Sequence, residues 1–294
     1  MLGASKAGGD FSGSIARPNT DPIFITLHVD LSNGGDKITG TAMFDAATVP
    51  FAADRAVFDG KTLKAPQAGK FTTVLQLTPA DATLPQGDGY GTLVVNAAGG
   101  VRFIGFLGDG TPASIGTFLS KAGMWPLYVP LYLTRGSIAG LVTFAAMSNT
   151  STLSAQCDWF KPAVPTDAFY PAGFATKFDL IGSPYVKPPA KTRVLNFVDA
   201  PANAKITIGA GNVNPTLPPI VATLGKDNTI KALASGKFTM KLQLSTGFFS
   251  GTFLESGSGA TTKFNGALLQ TQNFGSGFIN GNAETGFIDL ERNL

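Results

Sequence analysis

A glycine set between apolar residues recurs along most of the chain. It appears as Phe11-Ser-Gly13-Ser-Ile15, Ile38-Thr-Gly40-Thr-Ala42, Phe103-Ile-Gly105-Phe-Leu107 and Ile138-Ala-Gly140-Leu-Val142. It returns as Phe249-Ser-Gly251-Thr-Phe253 and Phe264-Asn-Gly266-Ala-Leu268. In an extended strand, residues i, i+2 and i+4 share a face, so each glycine lies on the side of its apolar neighbours. A glycine there leaves room for a facing aromatic ring and lets the strand bend sharply. Curved or closed antiparallel sheets need both, and the pattern predicts an all-β fold.

Composition agrees. The 294 residues include 36 glycines and 23 phenylalanines, only 14% are charged, and the three glutamates (Glu255, Glu284, Glu291) are too few for a helical surface. No stretch of a dozen residues carries a 3.6-residue apolar stripe. Strand-like alternation runs through Ile23–Leu31, Phe71–Leu77, Gly91–Val95, Val101–Leu107, Trp125–Leu133, Phe238–Leu244 and Phe248–Leu254. In the run 237–244, Phe238, Met240, Leu242 and Leu244 face one way and Lys237, Thr239, Lys241 and Gln243 the other. Turn signals lie between the runs at Asn33-Gly34-Gly35-Asp36, Asp59-Gly60, Asp109-Gly110 and Gly257-Ser258-Gly259. The expected architecture is an antiparallel meander forming two related barrel-like or sandwich-like halves.

The division between the halves is read from proline. Pro162, Pro165, Pro171, Pro184, Pro188 and Pro189 crowd into one stretch, each removing a backbone donor. The sequence therefore predicts a barrel-like domain over 1–158, a connector over 159–190 lying outside any central strand, and a second barrel-like domain over 191–294. Val101–Phe144 and Gly247–Leu290 match in the order and spacing of their strands and glycines over about 44 residues, which reads as an internal repeat.

Catalytic candidates are few. His28, the one histidine, shares a strand face with Thr26 and Asp30, and any Ser-His-Asp triad would run through it. No Gly-x-Ser-x-Gly elbow is present, and the expected role is an exposed strand histidine. One histidine and one cysteine, Cys157, cannot make a zinc site. Asp88 and Asp109 sit in Gly-Asp-Gly turns without the oxygen ladder of a calcium loop, so no metal and no cofactor is expected, and these aspartates read as turn formers. Sixteen aspartates leave a glycosidase pair impossible to assign from sequence. The net charge of +3 with scattered Lys and Arg argues against nucleic acid.

The aromatic run Trp125-Pro-Leu-Tyr128-Val-Pro-Leu-Tyr132 predicts an edge strand, since two prolines would leave missing donors facing water. Alternation puts Tyr128 and Tyr132 on the face opposite Trp125, as a flat platform on which sugar rings could stack, or as a cover for the Pro-rich stretch. Trp159, Tyr170 and Tyr185 complete the candidate ligand-binding set. A polysaccharide, another surface protein, or a second copy added edge to edge into a filament or sheath are the partners considered. An outer-membrane barrel is a further alternative, but glycine is a poor lipid-facing residue and no paired aromatic girdles are present, so membrane is not expected.

Several stretches together resemble a known type of region. They are Gly87-Asp-Gly-Tyr-Gly-Thr-Leu93, Gly105-Phe-Leu-Gly-Asp-Gly-Thr111, Trp125-Pro-Leu-Tyr128 and Gly140-Leu-Val-Thr-Phe144. With them go Trp159-Phe-Lys-Pro162, Tyr170-Pro-Ala-Gly-Phe174, Phe249-Ser-Gly-Thr-Phe253 and Phe264-Asn-Gly-Ala-Leu-Leu-Gln270. Over about residues 10–290 the chain resembles an uncharacterised Gly/aromatic-rich β region. That region lies at the C-terminal end of large secreted or surface proteins of environmental Gram-negative bacteria. The resemblance implies an extracellular or cell-surface setting, a longer parent chain and a non-enzymatic role in adhesion, surface assembly or ligand presentation, and it carries no catalytic residues. Met1–Lys6 shows no charged region leading into an apolar core, so no signal peptide is expected in this segment, and the near-absence of cysteine fits a secreted bacterial protein and a cytosolic one alike.

Overall fold

The computed structural model describes residues 8–79, 81–145, 153–213, 218–233, 237–255 and 259–293. Met1–Lys6 and the turn residues Gly257 and Ser258 lie outside them. Among the described residues there is no α-helix, and the strands form three antiparallel sheets. The first holds β1 (Asp10–Arg17), β2 (Thr20–Val29), β3 (Lys37–Phe44) and β4 (Ala47–Asp54) in chain order.

The second sheet holds β5 (Gly69–Gln76), β6 (Gly89–Val95), β7 (Gly100–Phe106), β8 (Pro112–Phe118), β9 (Trp125–Leu131), β10 (Gly136–Phe144), β11 (Leu153–Lys161) and β12 (Phe174–Pro184). The third holds β13 (Ala204–Ala210), β14 (Ile220–Leu224), β15 (Ile230–Ala232), β16 (Phe238–Gln243), β17 (Phe248–Leu254), β18 (Thr261–Leu269), β19 (Phe274–Asn280) and β20 (Thr285–Arg292). Each is an eight-stranded meander whose first and last strands pair, β5 with β12 and β13 with β20. The remaining free edges, β8 with β9 and β15 with β16, approach one another without a ladder. These are the two barrel-like halves that the pattern predicts.

The glycines pack as the alternation requires. Gly91 and Gly105 are cross-strand partners, and the Phe103 ring lies over both, at 2.5 Å and 3.0 Å from where a Cβ would stand. In the second barrel the Phe264 ring covers Gly251 and the Phe249 ring covers Gly266, at 2.4 Å and 2.3 Å from such a Cβ. Gly140 is filled by the Cys157 sulfur instead, at 2.5 Å. The rings so admitted, with Trp125 and Trp159, fill the barrel interiors. An apolar, side-chain-filled interior is the inverse of a membrane pore, whose polar lumen and apolar outer band the sequence weighed as an alternative.

The boundaries read from sequence need correcting. The stretch 159–190 is not a connector: it contains the end of β11 and all of β12, and β12 is central, paired with both β5 and β11. Its prolines lie outside the strands except Pro184, which ends β12, so their donors are not missed in the ladder. The region 1–158 is not one barrel either, because β1–β4 form a sheet of their own. Val101–Phe144 spans β7–β10, the third to sixth strands of its barrel, whereas Gly247–Leu290 spans the fifth to eighth, β17–β20. The two barrels share a topology, but the matched stretches are not equivalent in it. Their likeness reflects the same demand for small residues under rings.

The first sheet is unlike the barrels. One face carries Ile23, Ile25, Leu27 and Val29 of β2, flanked by Phe11 and Ile15 of β1. It continues through Ile38, Gly40 and Ala42 of β3 to Val49, Phe51 and Ala53 of β4. None of these residues is buried, and Ile15 and Val49 are 52% and 45% exposed. The barrels' core residues, by contrast, are almost wholly sealed from solvent.

Gly266→Ala is expected to destabilise the protein by about 3 kcal/mol, since its new methyl meets both the Phe249 ring and the Ser276 carbonyl oxygen. Gly116→Ala, exposed on β8 with its nearest neighbour at 3.9 Å, should change urea-unfolding stability by no more than about 0.5 kcal/mol.

Candidate functional site

The aromatic residues singled out in the sequence are not a platform. β9 does alternate, with Trp125, Leu127, Val129 and Leu131 inward and Tyr128 outward at 58% exposure, and it is an edge strand. Tyr132, however, follows the strand's end, where Tyr132, Leu133 and Thr134 all adopt left-handed backbone (φ 49°, 57° and 67°). That turn swings the Tyr132 ring off the face of Tyr128 and inward. Its hydroxyl donates to Asp109 Oδ2 at 2.8 Å and accepts from Trp159 Nε1 at 3.0 Å. Trp159 is sealed in the first barrel, and Tyr170 and Tyr185 are buried between the barrels. The Tyr170 hydroxyl meets Thr285 Oγ1 at 2.9 Å and accepts from its backbone N–H at 3.0 Å, while Tyr185 donates to the Leu244 carbonyl at 2.8 Å. Four of the five candidates are thus structural, and Tyr128 stands alone.

Tyr132 does belong to a polar cluster at the mouth of the first barrel. Lys161, 4% exposed, lies 3.4 Å from Asp109 Oδ2, 2.9 Å from Asp167 Oδ2 and 4.7 Å from the centre of the Tyr132 ring. Asp109 also accepts from the Thr111 N–H at 2.8 Å, the bond that makes its turn. Burial, and then the Asp109 carboxylate, push the Tyr132 hydroxyl far above its ordinary value. The cluster borders a cleft of about 410 Å³, which Asn280 of the second barrel also lines. One ammonium here faces two carboxylates, Asp109 and Asp167, and the Tyr132 hydroxyl is engaged by both Asp109 and Trp159.

A second polar group lies where the barrels meet. Ser276 Oγ stands 2.7 Å from Asp88 Oδ2 and 2.7 Å from Asp289 Oδ1. A hydroxyl has one proton to donate, so two such contacts with carboxyl groups require one carboxyl to carry a proton. The environment selects Asp88, whose pKa burial raises to about 7. Its other oxygen accepts from the Leu77 N–H at 2.9 Å. Asp289 is raised as well, chiefly by burial and in part by Glu291, while Lys205 acts in the opposite direction. Around this group, Tyr90 packs against Phe248 and Phe278, and Thr72 Oγ1 donates to the Leu268 carbonyl at 2.6 Å. Asp88 therefore forms part of the seam that joins the barrels, a role that its turn signature did not disclose.

The remaining sequence candidates are accounted for locally. His28 Nδ1 lies 2.8 Å from Asp10 Oδ1 across the β1–β2 pair, with both side chains more than half exposed. Asp30, its expected neighbour, instead accepts from the Ser32 N–H at the start of a short 3₁₀ turn. Cys157 is buried, and burial, with Asp158 and Asp179 nearby, raises its thiol to about 12.

No family model and no curated protein matches the chain. Among solved structures, it aligns with a double mutant of the vaccine antigen transferrin binding protein B from Haemophilus parasuis Hp5. The identity is 10% and the TM-score 0.25, over 95% of this chain and 67% of that one. A score of that size leaves the fold to rest on the strand pairings themselves.

Two outcomes follow from the clusters. Tyr132→Phe should cost about 1–3 kcal/mol in urea unfolding, because Trp159 Nε1 and Asp109 each lose a partner, whereas Tyr128→Ala should stay within about 0.5 kcal/mol. For Asp88 the folded pKa lies above the unfolded one. Its stabilising contribution is therefore complete below about pH 4 and is lost as pH rises to about 7. Asp88→Asn keeps both hydrogen bonds at every pH, so thermal melts of this variant should show a flatter pH dependence between 4 and 7 and a higher Tm than wild type at pH 8.

Proposed function

We propose that this protein is a non-enzymatic β module of a secreted or surface protein, working in surface assembly or adhesion. Its two barrels are the rigid body, and the β1–β4 sheet is the part that engages other protein. One observation carries this reading: the sheet's apolar face is continuous across four strands and, among the described residues, uncovered, while both barrels enclose theirs. An exposed apolar patch of this extent is the usual mark of an interaction surface. The polar groups of the barrel-mouth and seam clusters bond chiefly to one another, which suits a structural role. The extracellular setting implied by the sequence resemblance fits a role in assembly. A polysaccharide platform has lost its second ring, because Tyr132 is turned inward.

Thiol labelling tests the reading. Cys157 is buried and its thiol raised to about 12, so an introduced cysteine is the reactive one. At nanomolar protein, Ala42→Cys on the apolar face should react with a maleimide within about threefold of the rate of Thr41→Cys on the opposite face. Labelling slowed by a hundredfold or more at Ala42→Cys would mean that the chain covers this face itself, and would contradict the proposal.

A further inference from the structure

The occupant of the open face can be narrowed by its chemistry, its size and the state of the sheet's edges. Across Phe11–Ile15, Ile23–Val29, Ile38–Ala42 and Val49–Ala53 the face presents aliphatic side chains, phenylalanine and glycine, with the charges of Arg17 and Asp21 lying beyond it at one end. A partner must therefore bring an equally apolar, uncharged and flat surface. The opposite face carries Ser12, Thr26, His28, Thr39 and Thr41, with Phe24 and Met43 paired and exposed at one end of it.

Size then matters. Strands of 8 residues at about 3.3 Å per residue, four of them about 4.8 Å apart, give a face of roughly 26 by 19 Å, or about 500 Å². Two such faces stacked bury about 1,000 Å² in total, the lower bound of a specific interface. The stack would be a sandwich, in which sheets pack about 10 Å apart with interdigitating inner side chains. An isologous pair needs only one self-complementary patch, and this one has no charges to repel its copy.

The edges argue against the alternative of strand addition. Arg55 N donates to Asp36 O at 2.8 Å, which fixes the alternation of the β3–β4 ladder. Counting along it, Pro50 falls at a pair not hydrogen-bonded to Thr41, so its missing donor faces the free edge of β4. At the other edge, the β1–β2 register slips between Ile15 and Arg17, and Arg17 pairs with Asp45 at 3.4 Å. Prolines, bulges and charges of this kind blunt edges against pairing.

We infer that the β1–β4 sheet is a homodimerisation face, on which a second copy of this chain stacks its own apolar face to complete a β-sandwich. The inference rests on the docking role proposed above and names its partner.

Sedimentation equilibrium of the full chain between about 1 and 100 μM is the test, combined with labelling of Ala42→Cys over the same range. A monomer–dimer equilibrium is expected, with Ala42→Cys labelling slowing at least tenfold as dimer forms. Leu27→Asp, at the centre of the face, should weaken dimerisation by a hundredfold or more. Thr26→Lys, on the opposite face of the same strand, should leave it within about threefold. Both variants should retain the cooperative melt of the barrels. A monomer at 100 μM overturns the inference, as does a dimer that survives Leu27→Asp. A monomer whose Ala42→Cys stays fast-reacting overturns the second copy alone and leaves the docking role for a different partner. One whose Ala42→Cys is protected at every concentration overturns both.

Discussion

An aromatic ring lying over a glycine on the inner face of a strand is the contact on which this fold depends. Phe103 over Gly91 and Gly105, Phe264 over Gly251 and Phe249 over Gly266 each place ring carbons where any other residue would place a methyl. The missing side chain does two things. It opens room for a large apolar group, whose burial supplies most of the stabilisation available to a sheet, and it removes the steric bar to sharp coiling. A narrow eight-stranded meander needs both to bring its first and last strands together.

Closure in turn determines where polar groups can go. With the barrel interiors occupied by Phe and Trp, buried charge is confined to rims and to the seam between the barrels. Lys161 is held at the rim by two carboxylates and an aromatic face, with the Tyr132 hydroxyl linking Asp109 to Trp159. At the seam a proton on Asp88, with the Ser276 hydroxyl donating its own to Asp289, replaces what would otherwise be two carboxylates repelling one another. These are stabilising arrangements. Among the described residues, the apolar face of the N-terminal sheet is packed against no other sheet, and it directs the functional reading toward assembly.

Much of this was legible in the chain. Period-two alternation located the strands from Ile23 to Leu254, and inward glycines in aromatic company announced barrels. Proline misled, because the count in 159–190 ignored spacing: Phe174–Pro184 contains no interior proline and is a central strand. The Tyr128/Tyr132 platform failed because alternation was extended one residue past the end of β9, into backbone that turns left-handed. The role of Asp88 could not be read locally, since its partners Ser276 and Asp289 lie far along the sequence. The open face was hidden for the opposite reason: its alternation is the same as that of a covered sheet, and only the absence of a facing layer distinguishes it.

The dependence of the barrels on rings over glycines is measured most directly by a double-mutant cycle joining Gly91→Ala to Phe103→Leu. The ring stands 2.5 Å from the position of the new methyl, so shortening it should relieve part of the cost of the alanine. The two changes should then couple by at least about 1 kcal/mol in urea unfolding. Costs that add to within about 0.5 kcal/mol would show that ring and glycine act independently, and would contradict the account.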